Sequence, residues 1–373
     1  MKKLGFGFMR MPVTNKNDES SVDHEQTCAM VDYFLEKGFT YFDTAYVYHA
    51  QYSEIALRKA LVERHPREKF ILADKMPIFS VEGPDDYQKF FDEQLEKCGV
   101  EYFDYYLLHN ISHLRYDNTV KWGGFEFMKK VKASGQAKHI GFSFHDTADV
   151  LDKVLTNHPE MDFVQLQINY LDWESPDIQS RLCYEVAKKH GKPVIVMEPV
   201  KGGSLAGVPD SAEKLLKDYD SNASVPSWAI RYCASLDDVI MVLSGMSDIE
   251  QIKDNTGYME EFIPLNETEK DMLAEVATII KNTSIIPCTF CRYCSGKCPK
   301  NIPIHSYFSM YNQAKQFNKL WFQKMYYRNL STQDNTGSAS DCTKCGKCKK
   351  HCPQNINIPK YLKEVESLLK EEA

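Results

Sequence analysis

The chain has 373 residues, of which 43% are apolar and 26% charged, and its formal net charge is −7. This composition allows a large core and roughly two domains of about 100–200 residues each. It argues against a general nucleic-acid-binding protein, which usually carries a basic excess, and no run approaches the roughly 18 apolar residues of a membrane span. The N-terminal MKKLGFGFMRMP shows no cleavage site of a signal peptide, so we expect a cytoplasmic protein.

Eight short segments are rich in β-branched, aromatic or other apolar residues, and each is bounded by turn or charged residues. Most are nearly continuous apolar runs, which is typical of parallel strands that are buried on both faces. In chain order, the predicted strands are Leu4–Met9, Thr40–Asp43, Phe70–Lys75, Tyr105–His109, His139–Phe144, Phe163–Asn169, Val194–Glu198 and Val239–Ser244.

Helical patterns fill the gaps between these strands. The first, Glu25–Lys37, places apolar side chains on one face and stops at Gly38. The other predicted helices are Ser53–Glu63, Asp86–Lys97, Phe125–Ala133, Ala148–Leu155, Ile178–Lys189 and Pro226–Ala234. Eight strands alternating with helices over about 250 residues predict an α/β fold, a (β/α)₈ or TIM barrel. An open doubly wound sheet would instead want a G-x-G-x-x-G loop after an early strand, and the sequence has none there.

The composition changes near Lys281–Pro287, where a proline-containing connector leads into a cysteine-rich region. We therefore predict two domains, the barrel at 1–283 and a small, mainly α-helical, ferredoxin-like domain at 284–373. The chain has 12 cysteines, and most of them lie in this second region. In a cytosolic chain, such a concentration favours metal binding over disulfides.

The motif Cys-x2-Cys-x2-Cys-x3-Cys-Pro occurs twice, beginning at Cys288 and at Cys342. This run is the signature of [4Fe–4S] clusters, in which three cysteines bind one cluster and the fourth ligates the other. We predict two [4Fe–4S] clusters, the first held by Cys288, Cys291, Cys294 and Cys352, and the second by Cys342, Cys345, Cys348 and Cys298. Zinc would want two Cys-x2-Cys pairs or histidines, and disulfides conflict with a cytoplasmic location.

These motifs resemble ferredoxins, in particular helical ferredoxin domains, in which tens of residues of helix separate the two motifs. The aromatic-rich segment Ile304–Arg328 would be that spacer, and its rings are expected to pack a core. Lys344, Lys347, Lys349 and Lys350 surround the second motif. They either offset the negative charge of cluster and thiolates or form a docking face for an acidic electron carrier.

Polar residues end three predicted strands, where the active sites of such barrels lie. Asp43 stands in FDTAYVYH, Lys75 in ILADKMP and His109 in YYLLHN, while Tyr48 follows Asp43 by five residues. These four residues, in this order, resemble the catalytic tetrad of the aldo/keto reductase family. The resemblance covers about Leu4 to Ile280. Three more histidines near the same rim are candidates for substrate contact: His49, His113 and His145.

The chemistry of carbonyl reduction gives each member of the tetrad a role. Hydride addition needs a proton for the developing alkoxide, and Tyr48 can donate it, although an unperturbed tyrosine has a pKa of about 10. A neighbouring Lys75 ammonium would lower the pKa of Tyr48. Asp43 would pair with Lys75 and hold it, and His109 would orient the carbonyl oxygen or relay the proton.

The family resemblance also implies a nicotinamide cofactor, NAD(H) or NADP(H). Ser143 matches the first residue of the family's Ser-Asn pair, but Phe144 follows it. Gln165 matches a family glutamine, and Met197 stands where relatives stack a tyrosine on the nicotinamide.

The segment GMSDIEQIKDN, from Gly245 to Asn255, occupies the position that holds the adenosine phosphates in relatives. Relatives that prefer NADPH carry basic residues where this chain has Gly245 and Gln251, with Glu250 adjacent. The missing positive charge slightly favours NADH.

Together the two halves predict an oxidoreductase. The barrel would interconvert a carbonyl and an alcohol, with sugars as one substrate class, and the clusters would exchange electrons with a ferredoxin- or flavodoxin-like carrier. Because a hydride carries two electrons and a cluster one, a flavin at the barrel mouth is a further candidate cofactor, although no flavin motif is evident. Two alternatives remain open: a redox-sensing or binding module, like the potassium-channel β-subunits that resemble this family, and a reductase with purely structural clusters.

Overall fold

The computed structural model describes residues 2–15, 18–176, 178–283, 285–288, 292–294, 296–317, 320–352 and 354–370. Eight parallel strands form a closed barrel in chain order, and the first strand closes it against the last, with Leu4 opposite Val242. The strands are β1 Leu4–Gly7, β2 Tyr41–Asp43, β3 Ile71–Met76, β4 Phe103–Ile111, β5 Ala137–Phe144, β6 Phe163–Gln167, β7 Val194–Met197 and β8 Val239–Gly245. The barrel prediction is confirmed.

Helices follow the strands. In chain order they are α1 His24–Glu36, α2 Ser53–Leu57, α3 Asp86–Cys98, α4 His113–Lys121, α5 Gly124–Ala133, α6 Ala148–Asn157, α7 Ser180–Lys189, α8 Asp210–Tyr219, α9 Val225–Ala234, α10 Ile249–Glu260, α11 Glu267–Asn282, α12 Ile304–Phe317, α13 Leu320–Ser331, α14 Lys347–Lys350 and α15 Ile358–Leu369. Every predicted helix is present, whereas α4, α8, α10, α11, α14 and α15 were not predicted individually.

Alternation along the strands explains the barrel interior. Residues two apart on a strand point to the same face, and the inward positions build an apolar layer that contains Tyr41, Ala73, Leu107, Phe163 and Ile195. The next inward position on each of these strands, towards the carboxyl end, is polar or sulfur-containing. These positions hold Asp43, Lys75, His109, Gln165 and Met197. The fold therefore raises these side chains directly above a closed hydrophobic floor.

The chain divides into two compact units, Met1–Gly202 with Pro226–Lys270, and Gly203–Val225 with Asp271–Ala373. The first contains all eight strands. The second has its own core, in which α12 and α15 contribute Tyr307, Phe308, Leu362 and Val365. The spacer aromatics Tyr311, Phe317 and Tyr327 are also buried, but Trp321 and Tyr326 are exposed. The domain boundary between 283 and 284 stays a prediction.

Within the described residues, no helix is both long enough and apolar enough to cross a bilayer.

Candidate active site and cluster ligands

Lys75 and Asp43 form a buried ion pair at the carboxyl end of the barrel. Lys75 Nζ donates to Asp43 Oδ1 at 2.5 Å and to the Thr44 carbonyl at 2.7 Å. Only 1% of Lys75 and 3% of Asp43 is exposed, so water does little to screen the pair. Burial is the largest single influence and disfavours the charged lysine, but Asp43 together with Tyr48 and Asp74 outweighs it and raises the pKa of Lys75. The ammonium is therefore a fixed positive charge in the site.

Tyr48 lies next to this charge, as the sequence predicted. The Lys75 ammonium is 5.0 Å from the centroid of the Tyr48 ring. Burial raises the pKa of Tyr48, and the positive charge of Lys75 opposes that rise without overcoming it. The expected influence of Lys75 is thus present, but the pKa of Tyr48 is raised rather than lowered, because desolvation of the tyrosinate is the larger effect.

His109 faces the same tyrosine from β4. The two rings meet edge to face, with centroids 6.0 Å apart. Burial, together with the Lys75 charge, holds the pKa of His109 well below its usual range, so the imidazole is neutral. Its Nδ1 is buried and has no partner among the described residues. A neutral imidazole with a free nitrogen can exchange a hydrogen bond with a substrate oxygen.

The segment after Tyr48 is held in an unusual backbone conformation. His49, Ala50 and Gln51 have φ values of 51°, 51° and 71°, a left-handed region that costs an ordinary residue roughly 1–2 kcal/mol. His49 supports it from both ring nitrogens: the Met11 amide donates to Nε2 at 3.2 Å, and Nδ1 donates to the Glu19 carbonyl at 2.7 Å. His49 therefore positions the Tyr48 loop, and the prediction that it contacts substrate is not supported.

The other two rim histidines have different surroundings. His113 has an exposed side chain and pairs with Asp146 at 2.5 Å. His145 is exposed, and its backbone amide donates to the Ile111 carbonyl. Both remain candidates for substrate contact.

Two of the predicted cofactor residues lie side by side on neighbouring strands, since Ser143 pairs with Gln165. The buried Gln165 Nε2 makes no well-formed hydrogen bond with the described residues, although it lies near enough to Asp43 to counter the rise in the pKa of that carboxyl. The Nε2 is therefore available to a ligand carbonyl. Ser143 Oγ accepts from the Asn110 amide at 2.7 Å. It thereby braces the irregular turn of β4 directly after His109, and its hydroxyl proton can still be donated.

Met197, Gly245 and Asn255 are less directly involved. Met197 is half-buried at the end of β7. Gly245 ends β8, and a side chain there would meet Arg10, 3.1 Å away. Asn255 is turned inward: its Nδ2 donates to Ser244 Oγ at 3.0 Å and its Oδ1 accepts from the Tyr258 hydroxyl at 2.6 Å. Most of the predicted phosphate-binding segment is the first two turns of α10.

A charged group that the sequence analysis missed lies past the ends of β6 and β7. Lys201 Nζ donates to both oxygens of Asp172 at 2.7 and 2.8 Å, and Asn169 Nδ2 donates to the same carboxylate at 2.9 Å. The next residue after β7, Glu198, has a left-handed φ of 58°. A strained, half-buried carboxylate at a barrel mouth points to a constraint imposed by function. No motif in the sequence indicated it.

Behind Lys75, on the outward face of β3, two carboxyl groups are buried together. Asp74 and Glu54 are both fully buried. Burial raises the pKa of both, and for Asp74 the neighbouring Glu54 raises it further. Glu54 has a counter-charge, Lys97 Nζ at 3.6 Å, so the shared proton resides on Asp74. Asp74 Oδ1 accepts from the Lys75 amide at 2.8 Å, and Gln94 donates to the Lys75 carbonyl at 3.0 Å. The pair thus fixes the backbone on both sides of Lys75.

We expect this pair to make the protein less stable as the pH rises. Asp74 keeps its proton in the folded state at pH values where the unfolded chain has released it, so the stabilisation is lost as pH rises from about 3.9 towards the folded pKa. Each unit of pKa difference corresponds to about 1.4 kcal/mol. Asp74→Asn keeps the shape of the side chain and a hydrogen-bond donor towards Glu54, but it cannot lose a proton. The unfolding free energy of this variant should therefore fall less between pH 5 and 8 than that of the unchanged chain. Urea unfolding at several pH values measures the unfolding free energy. If it depends on pH equally in the variant and the unchanged chain, the proton does not reside on Asp74.

The first set of cluster cysteines borders a small cavity in the second unit, where Cys288, Cys294 and Cys352 meet. The remaining wall is mostly apolar, with Ile304, Phe308, Ile356 and Ile358. Cys291, the fourth predicted ligand, lies outside the described residues. Cys352 belongs to the second motif, so the structure brings together cysteines of both motifs in the combination that the spacing predicted.

The second set also combines the two motifs. Burial raises the pKa of the Cys348 thiol, and the neighbouring thiols of Cys298, Cys342 and Cys345 raise it further. Cys298 comes from the first motif and the other three from the second. Cys345 alone of the described cluster cysteines is exposed.

The donor set fits iron–sulfur clusters better than a single ion. Among the described residues, no three His, Cys, Asp or Glu side chains are arranged to hold one metal ion. A [4Fe–4S] cluster uses four cysteines, one on each of its four separated irons, so its ligands do not converge on a point. The cysteine-lined, apolar cavity suits such a group.

Comparison with known proteins agrees with both halves. The model of the "Aldo/keto reductase family" matches residues 3–278, and the model "4Fe-4S dicluster domain" matches residues 287–356. "Probable aldo-keto reductase 1" of Glycine max is 29% identical over 56% of this chain, which spans only 58% of that protein's length. The "NADH-specific methylglyoxal reductase" of Escherichia coli is 24% identical over 67% of this chain and 88% of its own. An aldo-keto reductase structure from Klebsiella pneumoniae with NADPH covers 74% of this chain and 90% of its own, with a TM-score of 0.58 and 18% identity.

Proposed function

The chain belongs to the aldo/keto reductase family of oxidoreductases, and from this premise we propose that its barrel interconverts a carbonyl and an alcohol with a nicotinamide cofactor, while two [4Fe–4S] clusters exchange electrons with a carrier protein. One observation carries the proposal: a buried lysine, paired with Asp43, lies beside Tyr48 above the barrel floor. The substrate is a small carbonyl compound or sugar, as the methylglyoxal substrate named for the Escherichia coli relative illustrates.

Each side chain has a defined task in this reaction. Bound NADH or NADPH supplies the hydride. Tyr48 delivers its phenolic proton to the oxygen that gains charge, and the Lys75 ammonium stabilises the tyrosinate left behind. Asp43 keeps Lys75 charged and in place. His109, which is neutral, donates a hydrogen bond that orients the carbonyl oxygen. In the oxidative direction, Tyr48 takes the proton back.

Gln165 supports nicotinamide binding through its unpartnered Nε2, which can donate to the carboxamide oxygen. Ser143 and Met197 flank the same opening, whereas Asn255 acts only by bracing β8 through Ser244. We propose NADH as the preferred nucleotide. The first turn of α10 carries Asp248 as its N-cap and Glu250, and carboxylates there oppose a 2′-phosphate.

A single substitution should shift the nucleotide preference. The side chain of Gln251 forms hydrogen bonds within its own turn, accepting from the Ser247 amide and donating to Asp248. Gln251→Arg places a guanidinium there, and a hydrogen bond to a charged group contributes about 1.5–3 kcal/mol. We expect NADPH affinity to rise about 10- to 100-fold with little change for NADH. Fluorescence titration with NADH and with NADPH measures both affinities. Lys253→Gln is the control, since the exposed Lys253 side chain forms an ion pair with Glu250 in the same helix.

The paired cysteine sets support electron transfer as the task of the second half. Two clusters in one small unit provide successive one-electron steps, which a two-electron hydride needs if its electrons are to leave singly. A flavin is one group that would divide the pair of electrons, and its presence is part of the test below. Thiolate-bound clusters also favour the reducing cytoplasm as the location.

The deciding experiment is an anaerobic titration of the cluster-loaded protein with NADH and then NADPH, following the visible absorbance of the clusters. Bleaching would support nicotinamide binding and electronic coupling of the two halves. Clusters that are reduced by dithionite but by neither nucleotide would contradict the coupling. Extracting the protein and measuring its flavin content completes the test.

A further inference from the structure

Cys345 is the point at which the second cysteine set reaches solvent. It is exposed, while Cys348 of the same motif is buried and Cys298, Cys342 and Cys352 are partly buried. The backbone on both sides of it is left-handed, with φ of 56° at Lys344 and 72° at Gly346. This turn pushes the cysteine outward instead of folding it into the core. A ligand that is exposed in this way gives a partner its shortest approach to the cluster.

Four lysines surround this exposed cysteine, and we call them the lysine patch: Lys344, Lys347, Lys349 and Lys350. All four are exposed. Within the described part of the chain, none of them has an ion pair or a side-chain hydrogen bond. Two nearby carboxylates of this unit bind other groups: Asp341 pairs with Ser338, and Glu366 pairs with Tyr327 and Lys370. The patch therefore presents uncompensated positive charge on a chain whose net charge is −7.

Among the described residues, the cavity bordered by the other cysteine set has fewer positive charges around it. Cys288, Cys294 and Cys352 line a cavity whose wall is mostly apolar, with Ile304, Phe308 and Ile358 among its residues. In the part of this lining that the structure describes, Arg292 is the one lysine or arginine, whereas four exposed lysines surround Cys345. Electrons that reach this unit would thus leave or enter at the Cys345 side.

We infer that the lysine patch is the docking surface for an acidic one-electron carrier protein of the ferredoxin type, and this inference rests on the proposed function. Charge complementarity would steer the carrier to the patch and raise its association rate. In the complex, a cluster held by Cys345 and the other three cysteines of its set would exchange one electron with the iron–sulfur centre of the carrier, one being oxidised as the other is reduced, with no bond broken. Each hydride thus serves two carrier encounters.

The test uses the full chain with both clusters loaded and reduced by stoichiometric dithionite, which bypasses the barrel. Stopped-flow mixing with an oxidised plant-type [2Fe–2S] ferredoxin gives the second-order rate constant. The patch variant carries Lys344→Gln, Lys347→Gln, Lys349→Gln and Lys350→Gln. The control variant carries the same charge change at exposed lysines elsewhere in this unit: Lys315, Lys360, Lys363 and Lys370.

We expect the patch variant to react about tenfold or more slowly at low salt, with a much weaker dependence on ionic strength, and the control variant to change less than about twofold. Cationic cytochrome c should react faster with the patch variant. Equal losses in the two variants, or a rate independent of salt, would overturn the inference.

A second readout separates docking from simple charge compensation of the cluster. If the lysines only offset the cluster charge, the midpoint potential of the patch variant falls and its rates with both carriers change alike, which would also overturn the inference. Dithionite supplies the electrons in this test, so the result does not depend on the barrel. If neither NADH nor NADPH reduces the clusters but the carrier still reacts normally, the proposed coupling is wrong and the docking surface is still supported.

Discussion

Replacing Tyr48 with phenylalanine should lower kcat/KM for carbonyl reduction about 10²- to 10⁴-fold, the usual contribution of a positioned general acid. The change removes one oxygen and keeps the ring that packs edge to face with His109. Nucleotide binding should be little affected, because the proposed contact with the nicotinamide is made by Gln165 and not by the Tyr48 hydroxyl. Reduction of a small aldehyde by NADH or NADPH, followed at 340 nm, measures the loss.

Tyr46→Phe is the matched control. It lies two residues before Tyr48 in the same loop, but its hydroxyl donates to Glu93 and its ring packs on Phe90. We expect this variant to keep activity within about threefold. An unchanged kcat/KM in Tyr48→Phe would contradict the assignment of Tyr48 as the proton donor. An equal loss in both variants would show damage to the loop instead of loss of a proton donor.

The iron lost when two cysteines are replaced should depend on whether the two bind the same cluster. Under the proposed ligand sets, Cys298 and Cys342 bind the same cluster, although they belong to different motifs. Cys298→Ala combined with Cys342→Ala should therefore remove one cluster, about four irons per chain. Cys298→Ala combined with Cys288→Ala touches both clusters and should remove about eight. Iron and sulfide analysis of anaerobically purified protein measures both variants.

Cys28→Ala serves as the control, because this half-buried cysteine lies on α1 and belongs to neither motif. Its iron content should equal that of the unchanged chain. The reverse result, with the Cys298–Cys342 pair losing about eight irons and the Cys298–Cys288 pair about four, would mean that each motif binds its own cluster. The two arrangements thus give opposite outcomes with the same four measurements.

The sequence predicted the barrel and the position of the tetrad because both depend on local patterns. Apolar runs bounded by turns identified the strands, and the carboxyl ends of parallel strands meet at one rim, so Asp43, Lys75 and His109 had to be neighbours. The spacing of the cysteines likewise indicated how the two motifs combine. Each of these inferences needs only the period of a strand or the length of a loop.

Other features depend on packing, which no local pattern reveals. Asn255 looked like a cofactor ligand, but its amide is satisfied by Ser244 and Tyr258 within the barrel wall. The sequence did not indicate a role for Asp74, because its raised pKa arises from Glu54 on α2, which is buried in the same space. The raised pKa of Tyr48 had the same origin, since the depth of burial outweighs the neighbouring charge.

The closure of the barrel by its first and last strands also sets an order of events during synthesis. β1 remains without one of its two neighbours until β8 has emerged, some 240 residues later. Cys352 follows β8 by roughly a hundred residues, which takes about 5–20 s at about 5–20 residues per second. Under the proposed ligand sets, the second cluster has its full set of cysteines once Cys348 is made, and the first cluster only once Cys352 is made. All eight strands of the barrel are therefore synthesised before either cluster has its full set of cysteines.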